Sequence, residues 1–256
     1  MLALPEGCIA AVISFTSPRD ACRLACVSTT FRSAADSNVV WDRFLPPDSA
    51  LSKKDLHFGI CNNLIHNGNM SFWFDLQSGK KCYMISAREL NIGELNIGDG
   101  YLWKWFSTDE ARCQFPMPDC RFREVVMYIG PFNEFEVSGK ISTSHLSPMT
   151  TYVAYLVFAQ HRIAHGSGAP IKATVGLVGS NNVQNRTFHF PWGFPRKQQD
   201  GYDDDCVPKE RADGWFESEL GEFFNRGDED NELLMTISEC EDTLLIQGIE
   251  IRPKKE

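Results

Sequence analysis

The sequence predicts a multidomain α+β chain, with a small helical module at the N-terminus followed by an antiparallel, jelly-roll-like β-sandwich. Three observations predict it. Proline, serine caps and apolar residues at i, i+3 and i+4 are concentrated in the first 47 residues. From Lys80 onward the apolar period becomes two and the apolar residues become β-branched or aromatic. Gly, Pro and Asn turns separate these short runs, as in sandwiches and jelly rolls. The expected modules are 1–47, a connector over 48–79, and the sandwich over 80–256.

The helical elements follow from punctuation. Leu4-Pro5-Glu6 puts a proline at the first helical position and an acid in the first turn, where the unpaired amides favour both. Ile9, Val12 and Ile13 then form one apolar stripe. Ser17-Pro18-Arg19-Asp20 restarts a helix. The Ser17 hydroxyl can cap free amides, Pro18 loses nothing by lacking its N–H, and Asp20 can close the capping box. Ala21, Leu24 and Ala25 give its apolar face. Ser28 caps a segment around Phe31, and Ser37 begins another with Val40, Trp41 and Phe44 apolar. Pro46-Pro47 ends it. Three or four short helices make a thin core, so such a module needs a partner or the rest of the chain.

Residues 48–79 lack a clean period and read as a helical piece plus loop. The strands begin after them. Val125–Ile129 is β-branched, Glu134–Ser138 alternates, and Thr151–Phe158 is apolar on both faces, the pattern of a central buried strand. Ile171–Val175 alternates again, and Phe188 and Phe190 flank His189. Phe216–Leu220, Leu233–Ile237 and Ile249–Ile251 complete the set.

Composition excludes several classes. The 256 residues carry a formal charge of −9, against the basic surface that non-specific nucleic-acid binding relies on. From Asp200 to Glu256, 18 acidic residues face 6 basic ones. That segment is either a solvated surface or the setting of a polar ligand site. Nine scattered cysteines without a CxxC pair fit a reducing compartment better than a disulfide framework or zinc ribbon. The apolar runs are too short to span a membrane, and no secretory signal is expected. No metal or cofactor is expected.

The first 41 residues resemble an F-box. The resemblance rests on Leu4-Pro5-Glu6, Ile9, Ile13, Asp20-Ala21-Cys22-Arg23-Leu24-Ala25-Cys26-Val27-Ser28, Phe31-Arg32 and Trp41, in family order. It implies docking on a Skp-type adaptor, and through it a cullin and a ubiquitin ligase in the nucleus and cytoplasm. Leu4, Pro5, Ile9, Ile13, Leu24, Val27 and Trp41 are the candidate adaptor contacts. Some of them belong to the internal core, and the sequence does not sort the two sets.

Residues 80–253 resemble the phloem protein 2, or Nictaba-like, lectins. The landmarks are Lys80–Met84, Ser86–Leu90, Trp103-Lys104-Trp105, Thr151–Phe158, Arg211–Glu217, Leu220–Phe224 and Ile249–Pro253. A sugar site needs an aromatic face and hydrogen-bonding groups. The resemblance implies Trp103, with Trp105 beside it, and Glu232 and Glu239 as carbohydrate-binding residues. The implied ligand is N-acetylglucosamine-containing or an N-glycan on a glycoprotein target. Core packing for the tryptophans and solvated surface for the glutamates are the alternatives. The family's lectins carry a further tryptophan upstream, and residues 91–96 here contain none. An uninterrupted strand would put Glu232 and Glu239 on opposite faces.

Catalysis finds no motif. His161 and His165 have the spacing of a zinc-hydrolase pair, but Arg162 stands where the general-base glutamate is needed. Paired carboxylates for glycoside hydrolysis arise by chance in so acidic a segment. Two readings follow. In one, the chain is the non-catalytic substrate-recognition subunit of a Skp–cullin–F-box ligase. In the other, it is a lectin-like interaction protein that binds glycans or proteins without directing ubiquitination.

Overall fold

The computed structural model describes residues 4–44, 64–66, 69–75, 77–92, 103–115, 117–129, 135–160, 169–180, 183–190 and 207–255. Four short helices come first: α1 (Glu6–Ile13), α2 (Pro18–Leu24), α3 (Thr29–Ala35) and α4 (Asn38–Phe44). Their starts are chemical. The Ser17 hydroxyl accepts from the Asp20 amide at 3.1 Å, and Pro18 opens α2. The Ser28 hydroxyl accepts from the Phe31 amide at 3.2 Å and opens α3. Pro5 sits one position earlier than expected, as the cap before α1. Ile9, Ile13, Ala21, Ala34, Val40 and Trp41 close the small core, and the Trp41 indole N–H donates to the Ala35 carbonyl at 2.7 Å.

The remainder is two antiparallel sheets. The larger has nine strands: β1 (Leu64–His66), β2 (Met70–Phe74), β3 (Lys81–Ser86), β5 (Trp103–Ser107), β6 (Glu124–Tyr128), β8 (Thr150–Gln160), β11 (Lys209–Glu210), β12 (Phe216–Asn225) and β14 (Leu244–Pro253). Its main path runs β1-β2-β3-β14-β8-β12-β11. The smaller runs β10-β9-β13-β7-β4, with β4 (Asn91–Ile92), β7 (Glu136–Ser142), β9 (Ile171–Leu177), β10 (Val183–Phe188) and β13 (Glu232–Ser238). Leu233, Met235 and Ile237 face Leu156, Phe158 and Ile249 across the gap in one continuous core.

The larger sheet is covered on its other face too. There Met84, Val125, Val157, Trp215 and Leu245 form a second core with Phe106 and Phe122. Helix α5 (Thr108–Gln114) adds Ala111 to it, opened by a full capping box between Ser107 and Glu110. Double burial explains why β8 is apolar from Tyr152 to Ala159.

Strands β1 and β2 occupy the described part of the 48–79 stretch; the expected helical piece falls on residues 45–63, which lie outside the described set. Ser71, Phe72 and Phe74 are all buried in β2, so neither period shows in its sequence. In α1, Val12 is 64% exposed and does not share the core face with Ile9 and Ile13.

The helices are not tethered beads. Their core and the sandwich core form one cluster. A Cβ on Gly79, in the turn between β2 and β3, would lie 2.3 Å from the Ser17 Cβ. Gly79 has φ +68°, so both space and backbone call for glycine there.

Candidate functional site

The helical module presents a surface its own core does not use. Leu4 and Val27 are 65% and 66% exposed, and Pro5 is exposed. Leu24 is half-buried, whereas Ile9, Ile13 and Trp41 are buried. So three of the seven expected adaptor contacts lie open, and three build the core. Sequence reasoning missed Val12, Phe15 and Val39, all exposed. Cys8, Ala11, Val12 and Phe15 sit at i, i+3, i+4 and i+7, an apolar stripe on the outer side of α1. The Arg43 guanidinium lies 4.0 Å from the Phe15 ring centroid. The signal was there: α1 is apolar on all sides, so one side had to be left over.

In the sandwich, Trp103 is 3% exposed, its ring 5.0 Å from Tyr128 and 5.4 Å from Phe135. Trp105 points to the same side of β5 and is half-buried, with the Arg88 guanidinium 4.9 Å from its ring centroid. Of the two, Trp105 keeps aromatic surface open to a ligand. Glu232 opens β13 and lies 3.3 Å from the Lys140 ammonium. Glu239 follows the end of β13 and lies 2.7 Å from the Lys172 ammonium. Glu239 has φ +65°, which breaks the strand alternation and turns it outward. Both carboxylates are exposed, but a strand of this length holds them about 23 Å apart. The structure therefore does not bring the four residues together. His161 and His165 lie outside the described residues, as do residues 93–96 of the upstream segment.

The described surface holds a different cleft of about 510 Å³, between β12, β9 and β10. Phe224, Glu222, Gln184, Asn231, Asp228 and Glu229 are among its lining. Phe224 is 46% exposed. The Gln184 side-chain carbonyl accepts from the Glu222 amide at 2.7 Å, and Arg186 pairs with Glu219 at 2.5 Å, tying β10 to β12 below the cleft.

The Arg211–Glu217 segment has a structural role. Glu250, nearly fully buried, faces Arg211 at 2.9 Å, Arg252 at 3.0 Å and Arg121 at 3.6 Å. Glu217 joins through Arg252 and Arg211. The Trp215 indole N–H donates to the Asp119 carbonyl at 3.0 Å beneath this network. Among the described residues no group of His, Cys, Asp and Glu could hold a metal ion, and no helix is long and apolar enough to cross a membrane.

Comparison with known proteins accounts for both halves. The F-box domain matches residues 1–43, and phloem protein 2 matches residues 80–253. The chain belongs to the phloem protein 2-B group of F-box proteins. F-box protein At2g02240 of Arabidopsis thaliana is 40% identical, over 98% of this chain and 80% of that protein. F-box protein PP2-B10 of the same plant is 38% identical, over 98% of this chain and 93% of that protein. F-box protein SKIP3, also from Arabidopsis thaliana, is 37% identical over 98% and 88%. A xylan-binding domain from Paenibacillus barcinonensis has a TM-score of 0.33 at 12% identity, covering 67% of this chain and 89% of that one. Nothing about a ligand follows from so distant a likeness. In this F-box–phloem protein 2 chain, the bare stripe on α1 belongs to the F-box and the β12 cleft to the phloem protein 2 sandwich.

Proposed function

We propose that this protein is the substrate-recognition subunit of a Skp–cullin–F-box ubiquitin ligase. The observation that carries the reading is the apolar surface of Leu4, Val12, Phe15 and Val27, left open by a helical module whose core is already closed. A Skp-type adaptor would cover that surface. The sandwich would hold the target, and the chain itself would catalyse nothing. Other subunits bring activated ubiquitin near, so the gain is proximity.

Adaptor association is the test. Leu4→Ala with Pro5→Ala, and separately Val12→Glu, should abolish co-purification with a Skp-type adaptor while the circular dichroism of the strands is unchanged. Full association in both variants would remove the F-box reading of this surface.

For the target we retain an N-acetylglucosamine-containing glycan or N-glycan, supported by the family resemblance and by the half-buried ring of Trp105. A glycan array probed with the full chain should give selective binding that Trp105→Ala removes. A folded chain that binds no glycan would turn the target chemistry towards protein. Glycan binding without adaptor association would favour the lectin-like interaction protein.

A further inference from the structure

Beyond Gln184, the edge of β12 turns main-chain groups away from β8. Residue pairing places Phe224 opposite Thr151 of β8. The Thr151 carbonyl accepts from the Lys254 amide at 2.8 Å, on the side of β8 away from β12. In an antiparallel ladder a residue's N–H and C=O point to the same side, so Thr151 makes no ladder bond to Phe224. The Phe224 N–H and C=O therefore point away from β8, into the cleft. The Glu222 amide two residues earlier agrees, since it turns the same way to reach Gln184. Strand β11 covers β12 only at Phe216 and Glu217, far from this end.

We propose that this edge binds an extended, basic polypeptide segment of the captured target as an added strand. The main chain of Phe224 would supply the ladder bonds, and its half-exposed ring would take an apolar side chain. The lip supplies charge. Among the described residues, Glu222, Asp228 and Glu229 line the cleft against one lining cation, Arg226. Glu222 is already paired with Lys254 at 2.6 Å, so Asp228 and Glu229 are the carboxylates that would meet the segment's lysines or arginines. The cleft volume of about 510 Å³ lies in the range of ligand sites. A sugar would draw on side-chain hydrogen-bonding groups and a broad aromatic platform. Among the described residues, Phe224 turns a main-chain donor and acceptor outward in strand register, which favours a peptide. The inference rests on the sandwich being the target-holding part, but its site is separate from Trp105.

The test uses the full chain and an eight-residue peptide of alternating lysine and valine, with its alternating glutamate–valine counterpart as control. Hydrogen exchange read at single residues should show the Phe224 amide slowed at least tenfold by the basic peptide and unchanged by the acidic one. Methylating every second backbone nitrogen of the peptide, on its pairing edge, should weaken binding at least tenfold. Asp228→Lys with Glu229→Lys should reverse the preference between the two peptides. Three results would overturn the proposal: unchanged exchange at Phe224 with either peptide, binding indifferent to N-methylation, or protection of Phe224 by tri-N-acetylchitotriose instead. Adaptor co-purification on the same preparation separates the two claims. Peptide protection without adaptor association sinks the ligase reading alone, and adaptor association without peptide protection sinks the edge proposal alone.

Discussion

Glu239 occupies a backbone conformation that costs an L-residue roughly 1–2 kcal/mol. Its pair with Lys172 is exposed and returns at most about 1 kcal/mol. Glycine relieves the backbone, and alanine does not. Glu239→Gly should therefore melt higher than Glu239→Ala, by about 1 kcal/mol in a denaturant titration; equal stability would mean that the left-handed backbone is not kept in solution. Asp242 makes a different demand. It is buried, its Oδ1 has no partner among the described residues, and burial next to Glu241 raises its pKa to about 6. Between the unfolded carboxylate range and that value the native state binds the extra proton, so this group's contribution to stability falls as pH rises from about 4 to 6. Asp242→Asn cannot ionise. The stability difference between variant and wild type should shift by about 2–3 kcal/mol in favour of the variant from pH 4 to pH 7. A difference that stays flat with pH would show an ordinary carboxyl.

At the scale of elements, the outer face of the larger sheet carries an ionic cluster whose most buried carboxylate is Glu250. Removing one partner from a buried ionic cluster leaves the others uncompensated, at about 3–5 kcal/mol. Glu250→Gln, which strips charge from the contacts to Arg121, Arg211 and Arg252, should lower stability by that order, and a loss under 1 kcal/mol would mean that the cluster is solvated. Strand β14 shifts register against β8 between Ile246 and Gly248, and this irregularity is equally specific. A Cβ on Gly248 would lie 2.0 Å from the Ile85 carbonyl oxygen, so Gly248→Ala must push β3 away. These elements also explain what could be read in advance. β8 was legible because burial on both faces writes an unbroken apolar run, and β13 because one face is wet. β2 was not, because the polar Ser71 is fully buried within it. Helix α5 carried a readable Ser107…Glu110 capping box that the surrounding strand pattern obscured. The candidate site was less legible still. Leu4, Pro5 and Val27 do lie open, but whether a tryptophan of the Trp103–Trp105 pair faces solvent depends on Tyr128 and Phe135, which are distant in sequence.

For the whole molecule, the contact between Gly79 and Ser17 is decisive. It joins the helical module to the sandwich at a point where no side chain fits. Lys81 lies in the same region, its pKa lowered to about 8 by burial and then by Arg43, so the join carries a cation cost at neutral pH. Gly79→Ala should split the two modules thermally. Calorimetry should give one transition for the native chain and two for the variant, and a single unshifted transition in the variant would show that this contact does not couple them. The join has a consequence for any cargo held by the sandwich. A receptor on a loose tether lets its cargo tumble, and every lysine takes a turn at the incoming thioester. Under the proposed ligase role, a receptor seated this way offers one aspect of the cargo, and the lysines on the far side stay unmodified however long the complex lasts.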